Sequence, residues 1–314
     1  MEVVMIGNEK GGVGKTALTR CLGEALTTFG YKVLIVDWDP SGNLTDSILP
    51  DFPELVLYDA FCGNCTAEQV IQKTPIGDIL PTIKELDFGD NSDGTLLLET
   101  NNKSLTNLAN RLFGRAGGES QLKSFLWSQK NNFAAKYDFV LVDTGPSDNI
   151  LVTNAIVAAN TILMACDPAL ASLSGVWKLL SSMNTAKRCY VGATATLDGV
   201  VITKYSERKG SFAASIREIR SSTSAQEIYL YQTVMRDSGH VSAAMNQCCP
   251  LMHFAKQNGN GVSDMLNLGL EFLAARNFAP RVEIPGLQKD ANENWIYIQP
   301  TKNTTPAQCK PQEN

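Results

Sequence analysis

Lys10-Gly11-Gly12-Val13-Gly14-Lys15-Thr16 stands between an apolar run, Val3-Val4-Met5-Ile6, and a stretch in which Ala17, Leu18, Cys21, Leu22, Ala25 and Leu26 recur at helical spacing. A buried strand that turns through glycines into a helix makes a phosphate cradle. Glycines let backbone N–H groups close on phosphate oxygens, and the helix N-terminus adds partial positive charge. In such a cradle Lys15 reaches the β- and γ-phosphates and the Thr16 hydroxyl holds Mg²⁺. Residues Lys10, Gly11, Gly12, Val13, Gly14, Lys15, Thr16 and Ala17 are therefore the nucleotide-binding candidates. The usual loop has glycine five residues before Gly14. Glu9 stands there instead, and a second lysine, Lys10, precedes the glycine pair.

Two further stretches carry acids where a phosphate site needs them. Asp37-Trp38-Asp39-Pro40-Ser41-Gly42-Asn43 follows the apolar run that begins at Lys32. An acid at a strand C-terminus lies beside the phosphate site of an open α/β sheet. Two acids one residue apart can divide labour, one near the metal and one near the attacking water. Phe139-Val140-Leu141-Val142-Asp143 repeats the apolar-run-then-acid form and continues as Thr144-Gly145-Pro146-Ser147.

Strands at 3–6, 32–37, 139–143, 161–165, 199–203 and 229–235, with a short one at 79–81, alternate with helical patterns. The helical patterns lie at 150–159, 174–184, 211–221, 241–257 and 262–276. That alternation predicts an α/β fold, a three-layer P-loop arrangement with a mostly parallel twisted sheet and helices on both faces. One domain is expected over 1–280. It carries a polar excursion at about 87–118 with a helix near 105–112, and a polar, Pro-rich extension follows at 281–314. Trp295-Ile296-Tyr297-Ile298 is expected to dock within that extension.

The chain has 314 residues, 44% hydrophobic and 19% charged, enough for an ample core. A net charge of −5 excludes a wholly basic nucleic-acid binder, so DNA contact needs a local patch. No run reaches membrane-spanning length and no signal peptide is expected, which predicts the cytosol. The eight cysteines are then expected reduced. Cys62-Gly-Asn-Cys65 and Cys248-Cys249 allow a metal or Fe–S reading, but a second CxxC is missing.

Taken in order, these stretches resemble the ParA/MinD-type ATPases with a deviant Walker A box, over roughly residues 1–278, and most closely the Soj-like partition ATPases. The resemblance implies an ATPase that uses ATP and Mg²⁺. Lys10 would reach the phosphates of a partner subunit, making Lys10, Lys15 and Asp39 the catalytic set. Asp39 would orient or activate water, Asp143 would hold Mg²⁺ through water, and Asp37 would lie near Thr16 and the metal. Arg236 would lie beside the adenine. Gly145 and Met235 stand where the family usually has proline.

The family also implies an ATP-bridged homodimer that binds duplex DNA non-specifically on the nucleoid and hydrolyses slowly until a ParB-like adaptor stimulates it. Lys204, Arg208, Lys209, Arg217 and Arg220 are the DNA candidates. His240 and Cys249 occupy positions where the family often has basic residues. Residues 285–314 show no basic amphipathic pattern and no helix-turn-helix is read before the loop, so neither membrane binding nor operator-specific repression is expected. The alternatives are the same switch positioning a protein cargo or regulating conjugation or cell division, and an Fe–S carrier of related fold.

Overall fold

The computed structural model describes residues 1–81, 105–114, 116–146, 149–206, 212–255 and 260–299. Seven strands form the main sheet: β1 Glu2–Gly7, β2 Val33–Trp38, β3 Gln72–Thr74, β4 Gly77–Leu80, β5 Phe139–Thr144, β6 Thr161–Cys166 and β7 Thr196–Ile202. Their spatial order is β3-β4-β2-β5-β1-β6-β7. Every pairing is parallel except β3 with β4, which closes one edge as an antiparallel hairpin. Six-residue strands buried along their whole length, such as β2 and β5, belong in a sheet covered on both faces.

Side chains alternate between two cores as strand geometry requires. Val3 and Met5 of β1 face one core, with Leu34, Val36, Val140 and Val142. Helices 150–158 and 170–189 cover that face with Leu151, Ile156, Val176 and Leu179. Val4 and Ile6 face the other, with Ile35, Leu141, Leu163 and Val201. There the helix Lys15–Thr28 inserts Leu18, Leu22, Ala25 and Leu26, and the helix Gly261–Ala274 inserts Met265, Leu266, Phe272 and Leu273. Each buried leucine stabilises the fold by roughly 2 kcal/mol.

The strand expected at 229–235 is not one. The segment forms no ladder with the sheet: it meets it at isolated bridges, Val200 to Leu230 and Tyr205 to Arg236, and through single hydrogen bonds such as that of the Met235 N–H to Ile202. The helix expected at 241–257 is shorter, Gly239–Asn246, followed by a 3₁₀ turn at Leu251–Phe254. Cys248, at φ 48°, and Pro250 end the α-helical path. Of the excursion expected at 87–118, residues 105–114 and 116–118 are described, and the helix Leu105–Leu112 is present. No described helix is long and apolar enough to cross a membrane.

Within the extension expected at 281–314, residues 281–299 are described and lie on the domain. Arg281 pairs with Asp138 at 2.8 Å and sits over the Tyr31 ring. A small hairpin follows, β8 Leu287–Lys289 with β9 Trp295–Tyr297. Asn267 holds it from both sides: its Nδ2 donates to the Tyr297 carbonyl at 3.2 Å and its Oδ1 accepts from the Tyr297 N–H at 2.8 Å. Asn267→Ala is expected to cost about 1–2 kcal/mol and to make Trp295 more accessible to a fluorescence quencher, with the main sheet intact by circular dichroism.

Candidate nucleotide-binding site

β1 ends at Gly7 and the loop from Asn8 to Gly14 delivers the chain into the helix Lys15–Thr28. Gly14 caps that helix at φ 91°, and Gly12 also lies in the left-handed region at φ 74°. Side chains with a Cβ rarely adopt this conformation, so the turn needs glycine there. No side chain caps the helix and no acid stands in its first turn. Its leading N–H groups are thus left for an anion. A cavity of about 800 Å³ opens over them, lined among others by Gly11, Thr16, Asp39, Lys204 and Met235.

Around this opening the charges are buried. Lys15 is 7% exposed, and its Nζ donates to the carbonyls of Asn8 at 3.1 Å and Lys10 at 3.2 Å. Burial lowers its pKa, against the pull of Asp143 and Asp39. Thr16 donates to Asp143 Oδ2 at 2.8 Å and Thr19 to Oδ1 at 3.1 Å. β2 and β5 set Asp37 directly beside Asp143 in register, and both are fully buried. Thr45 donates to Asp37 from its N–H at 2.8 Å and its hydroxyl at 2.6 Å. Burial pushes Asp143 up to about 7, with Asp39 adding to the shift. Burial and then the charge of Asp143 push Asp37 up to about 8. Two neighbouring carboxyls that are hard to ionise, next to a threonine hydroxyl, form an oxygen-rich setting that a divalent cation would relieve. Mg²⁺ fits that setting through Thr16 and Asp143, together with the oxygens of a phosphate.

Asp39 is half-buried, at the cavity wall, and its Oδ1 accepts from the Ser41 N–H at 2.9 Å. Its carboxylate lies against the backbone at Gly145, where a Cβ would come within 3.2 Å of Oδ1. Glycine in place of the family's proline therefore lets Asp39 approach β5 closely. Met235 has a similar explanation. Its N–H donates to the Ile202 carbonyl at 2.8 Å, a bond proline cannot make.

Lys10 points back into its own subunit. Its Nζ lies 2.8 Å from Ser172 Oγ and 3.3 Å from Asp167 Oδ1. Asn8, which the sequence reading passed over, fixes the loop there. It donates to the carbonyls of Ala165 at 2.7 Å and Ser172 at 3.2 Å, and accepts from the Lys10 N–H at 2.8 Å. Its position two residues before Lys10 was the available signal.

The remaining candidates are dispersed. Arg236 lines the cavity, but its guanidinium is engaged by Asp264. Lys204 also lines it. Arg217 and Arg220 are exposed on the helix Phe212–Ala225. Arg208, Lys209 and Ser147 lie outside the described residues. His240 stacks on Phe254 at 5.3 Å, and the Cys249 carbonyl accepts from Arg20. Among the described residues no three His, Cys, Asp or Glu side chains form a metal-holding group.

An AAA-domain family model matches residues 1–192. The chain is 31% identical over 203 residues to the chromosome-partitioning ATPase Soj of Treponema pallidum, covering 64% of this chain and 70% of that one. It is 26% identical over 275 residues to the sporulation initiation inhibitor protein Soj of Bacillus subtilis, covering 87% and 98%. Among solved structures, Cyanothece McdA in complex with ATP shares the fold at TM-score 0.70 and 18% identity, over 90% of this chain and 99% of that one.

The carboxyl pair has a pH signature. For Asp37 and Asp143 the folded pKa lies above that of the unfolded chain, near 4, so folding favours the protonated forms. Their contribution is complete at low pH and is lost as pH rises through about 7 to 8. Thermal stability of the protein in EDTA without nucleotide should therefore fall between about pH 5 and pH 9. Asp37→Asn should flatten that slope and raise stability at the alkaline end by about 1–3 kcal/mol. An unchanged slope in the variant would show that Asp37 is not the group responsible.

Proposed function

Because the chain belongs to the AAA-domain family that contains the ParA-, Soj- and MinD-type P-loop ATPases, we propose that it is an ATP-hydrolysing dimerisation switch that partitions plasmid or chromosomal DNA. The observation that carries this reading is one loop bearing both Lys10 and Lys15 under an uncapped helix N-terminus, with Asp39 at the cavity wall. The backbone N–H groups from Gly11 to Ala17 and the ammonium of Lys15 hold the β- and γ-phosphates of ATP. Thr16 and Asp143 hold Mg²⁺, which when bound supplies positive charge to the phosphate oxygens. Asp39, with one oxygen occupied by the Ser41 N–H, orients water toward the γ-phosphate. Hydrolysis of this kind depends on positioning and charge neutralisation more than on covalent chemistry.

Lys10 makes the site a switch. Alone, the subunit keeps this ammonium on Asp167 and Ser172. In a two-fold dimer bridged by ATP it exchanges those partners for the phosphates of the other subunit. Turnover is slow until a ParB-like adaptor stimulates it, and hydrolysis releases the subunits. The dimer binds duplex DNA non-specifically on the nucleoid, with the exposed Arg217 and Arg220 among its phosphate contacts. The relative in Treponema pallidum, named a chromosome-partitioning ATPase, supports this reading.

A second reading, the same switch positioning a protein cargo, is favoured by a specific observation. His240 and Cys249, at positions where basic residues would serve DNA, are engaged in internal packing.

Duplex DNA binding with ATP, with ADP and without nucleotide, across a salt series, separates the two. The partition reading expects binding with ATP only, a steep salt slope, and loss in Lys10→Ala. ATP-dependent dimers that bind no DNA would support the cargo reading. Lys15→Ala should lose nucleotide affinity by about 100-fold or more, and Asp39→Ala should bind ATP but accumulate as unhydrolysed dimer. Normal turnover in Asp39→Ala would remove Asp39 from its role.

A further inference from the structure

We infer that Lys204 is a ligand of the nucleotide, reaching its α-phosphate and ribose end, and is not part of a DNA-binding surface. The inference rests on the nucleotide reading above. Lys204 adopts φ 52°, a left-handed conformation that is unusual for lysine. Its neighbours are pinned on both sides. Thr203 donates through its hydroxyl to the Val13 carbonyl of the glycine loop at 2.5 Å, and through its N–H to Cys166 at 2.9 Å. Tyr205 donates from its N–H to the Met235 carbonyl at 3.2 Å. Between these anchors the left-handed turn carries the lysine side chain over the loop. Its Cε lies 3.7 Å from where a Cβ would stand on Gly14.

The loop has two flanks, and they differ in chemistry. Gly11 faces Pro146, and Asp39 lies against Gly145, so that flank is where water and the γ-phosphate meet. Gly14 faces Thr203 and Lys204 on the other. Met235, Val241 and Met245 continue the cavity beyond it as an apolar wall suited to a base. A cation between the helix N-terminus and that wall lies along the α-phosphate and ribose. Lys204 is exposed, and its ammonium has no hydrogen-bond or ion-pair partner among the described residues. Arg236, the other cationic side chain toward the base end, is engaged by Asp264.

A contact at the α-phosphate is shared by ATP and ADP, so its loss must weaken both alike. The test is calorimetric titration of ATP and of ADP, each with Mg²⁺, into the full chain and into Lys204→Asn and Lys204→Arg. Asparagine tolerates the left-handed turn, so Lys204→Asn removes the charge without refolding the loop. Both nucleotides are expected to bind Lys204→Asn about tenfold more weakly, with the ratio of the two affinities preserved. Lys204→Arg should recover most of the loss, and duplex DNA affinity of Lys204→Asn at saturating ATP should be unchanged. Unaltered nucleotide affinity in Lys204→Asn, or a fall in DNA affinity alone, would overturn the inference. A wild-type chain that binds neither nucleotide would remove the parent reading and this one together.

Discussion

Lys15, Asp37 and Asp143 are buried together beside the ends of the central strands, where water reaches neither carboxyl and little of the lysine. An isolated charge in such a place is expensive, and the surrounding polar groups limit the penalty. Thr16 and Thr19 donate to one carboxyl, Thr45 donates twice to the other, and loop carbonyls accept from the lysine. These donors come from the first turn of one helix and from the helix Asn43–Ile48 after β2. Both elements must therefore begin where they do. The parallel register of β2 on β5 is constrained in the same way, since a slip of one residue would part Asp37 from Asp143.

The loop is fixed from outside as well as by its glycines. Asn8 ties it to the end of β6 and to the first turn of the helix that follows. Thr203 ties it to the end of β7, and the Thr144 hydroxyl donates to the Ile6 carbonyl at the end of β1. The helix that leaves the loop is clamped in turn to the segment 239–254, which lines the far side of the cavity. Arg20 donates to the carbonyls of Ala244 and Cys249, and Glu24 accepts from the N–H groups of Leu251 and Met252. One helix thus joins the glycine loop to the segment 239–254, which contributes Val241 and Met245 to the cavity.

The sheet was legible because its central strands are continuous apolar runs, a pattern that survives without tertiary information. The cradle was legible because its chemistry is local: glycines, lysine and threonine lie within seven consecutive residues. The edge hairpin β3–β4 was only half visible, since Gln72-Lys73-Thr74 carries no apolar signal. The segment 229–235 looked like a strand because it is rich in aromatic and β-branched residues, but it forms no regular ladder with β7, only isolated bridges. Nothing in the local sequence marks Arg20 and Glu24 as buried, because their partners lie in a segment more than 220 residues away. The placement of Lys204 was not legible, for a backbone reason. A regular continuation of β7 is what the sequence suggests there, whereas the positive φ of Lys204 brings its side chain over Gly14.

In the proposed switch, the contact between Lys10 and Asp167 would hold the ammonium of a lone subunit only weakly. The pair is partly exposed, with side chains 31% and 21% accessible, so solvent screening limits it to about 1 kcal/mol or less. A triphosphate across the proposed interface would present several charges to the same ammonium in a drier setting, where charge-assisted bonds are stronger. In the proposed dimer, exchange of partners would therefore be favourable once the second subunit arrives. A strong tether would demand a large input of binding energy before dimerisation, and no tether would leave the lysine disordered and slow to engage. A weak contact at Asp167, with the backbone of Lys10 fixed by Asn8, keeps the ammonium oriented while leaving it free to transfer.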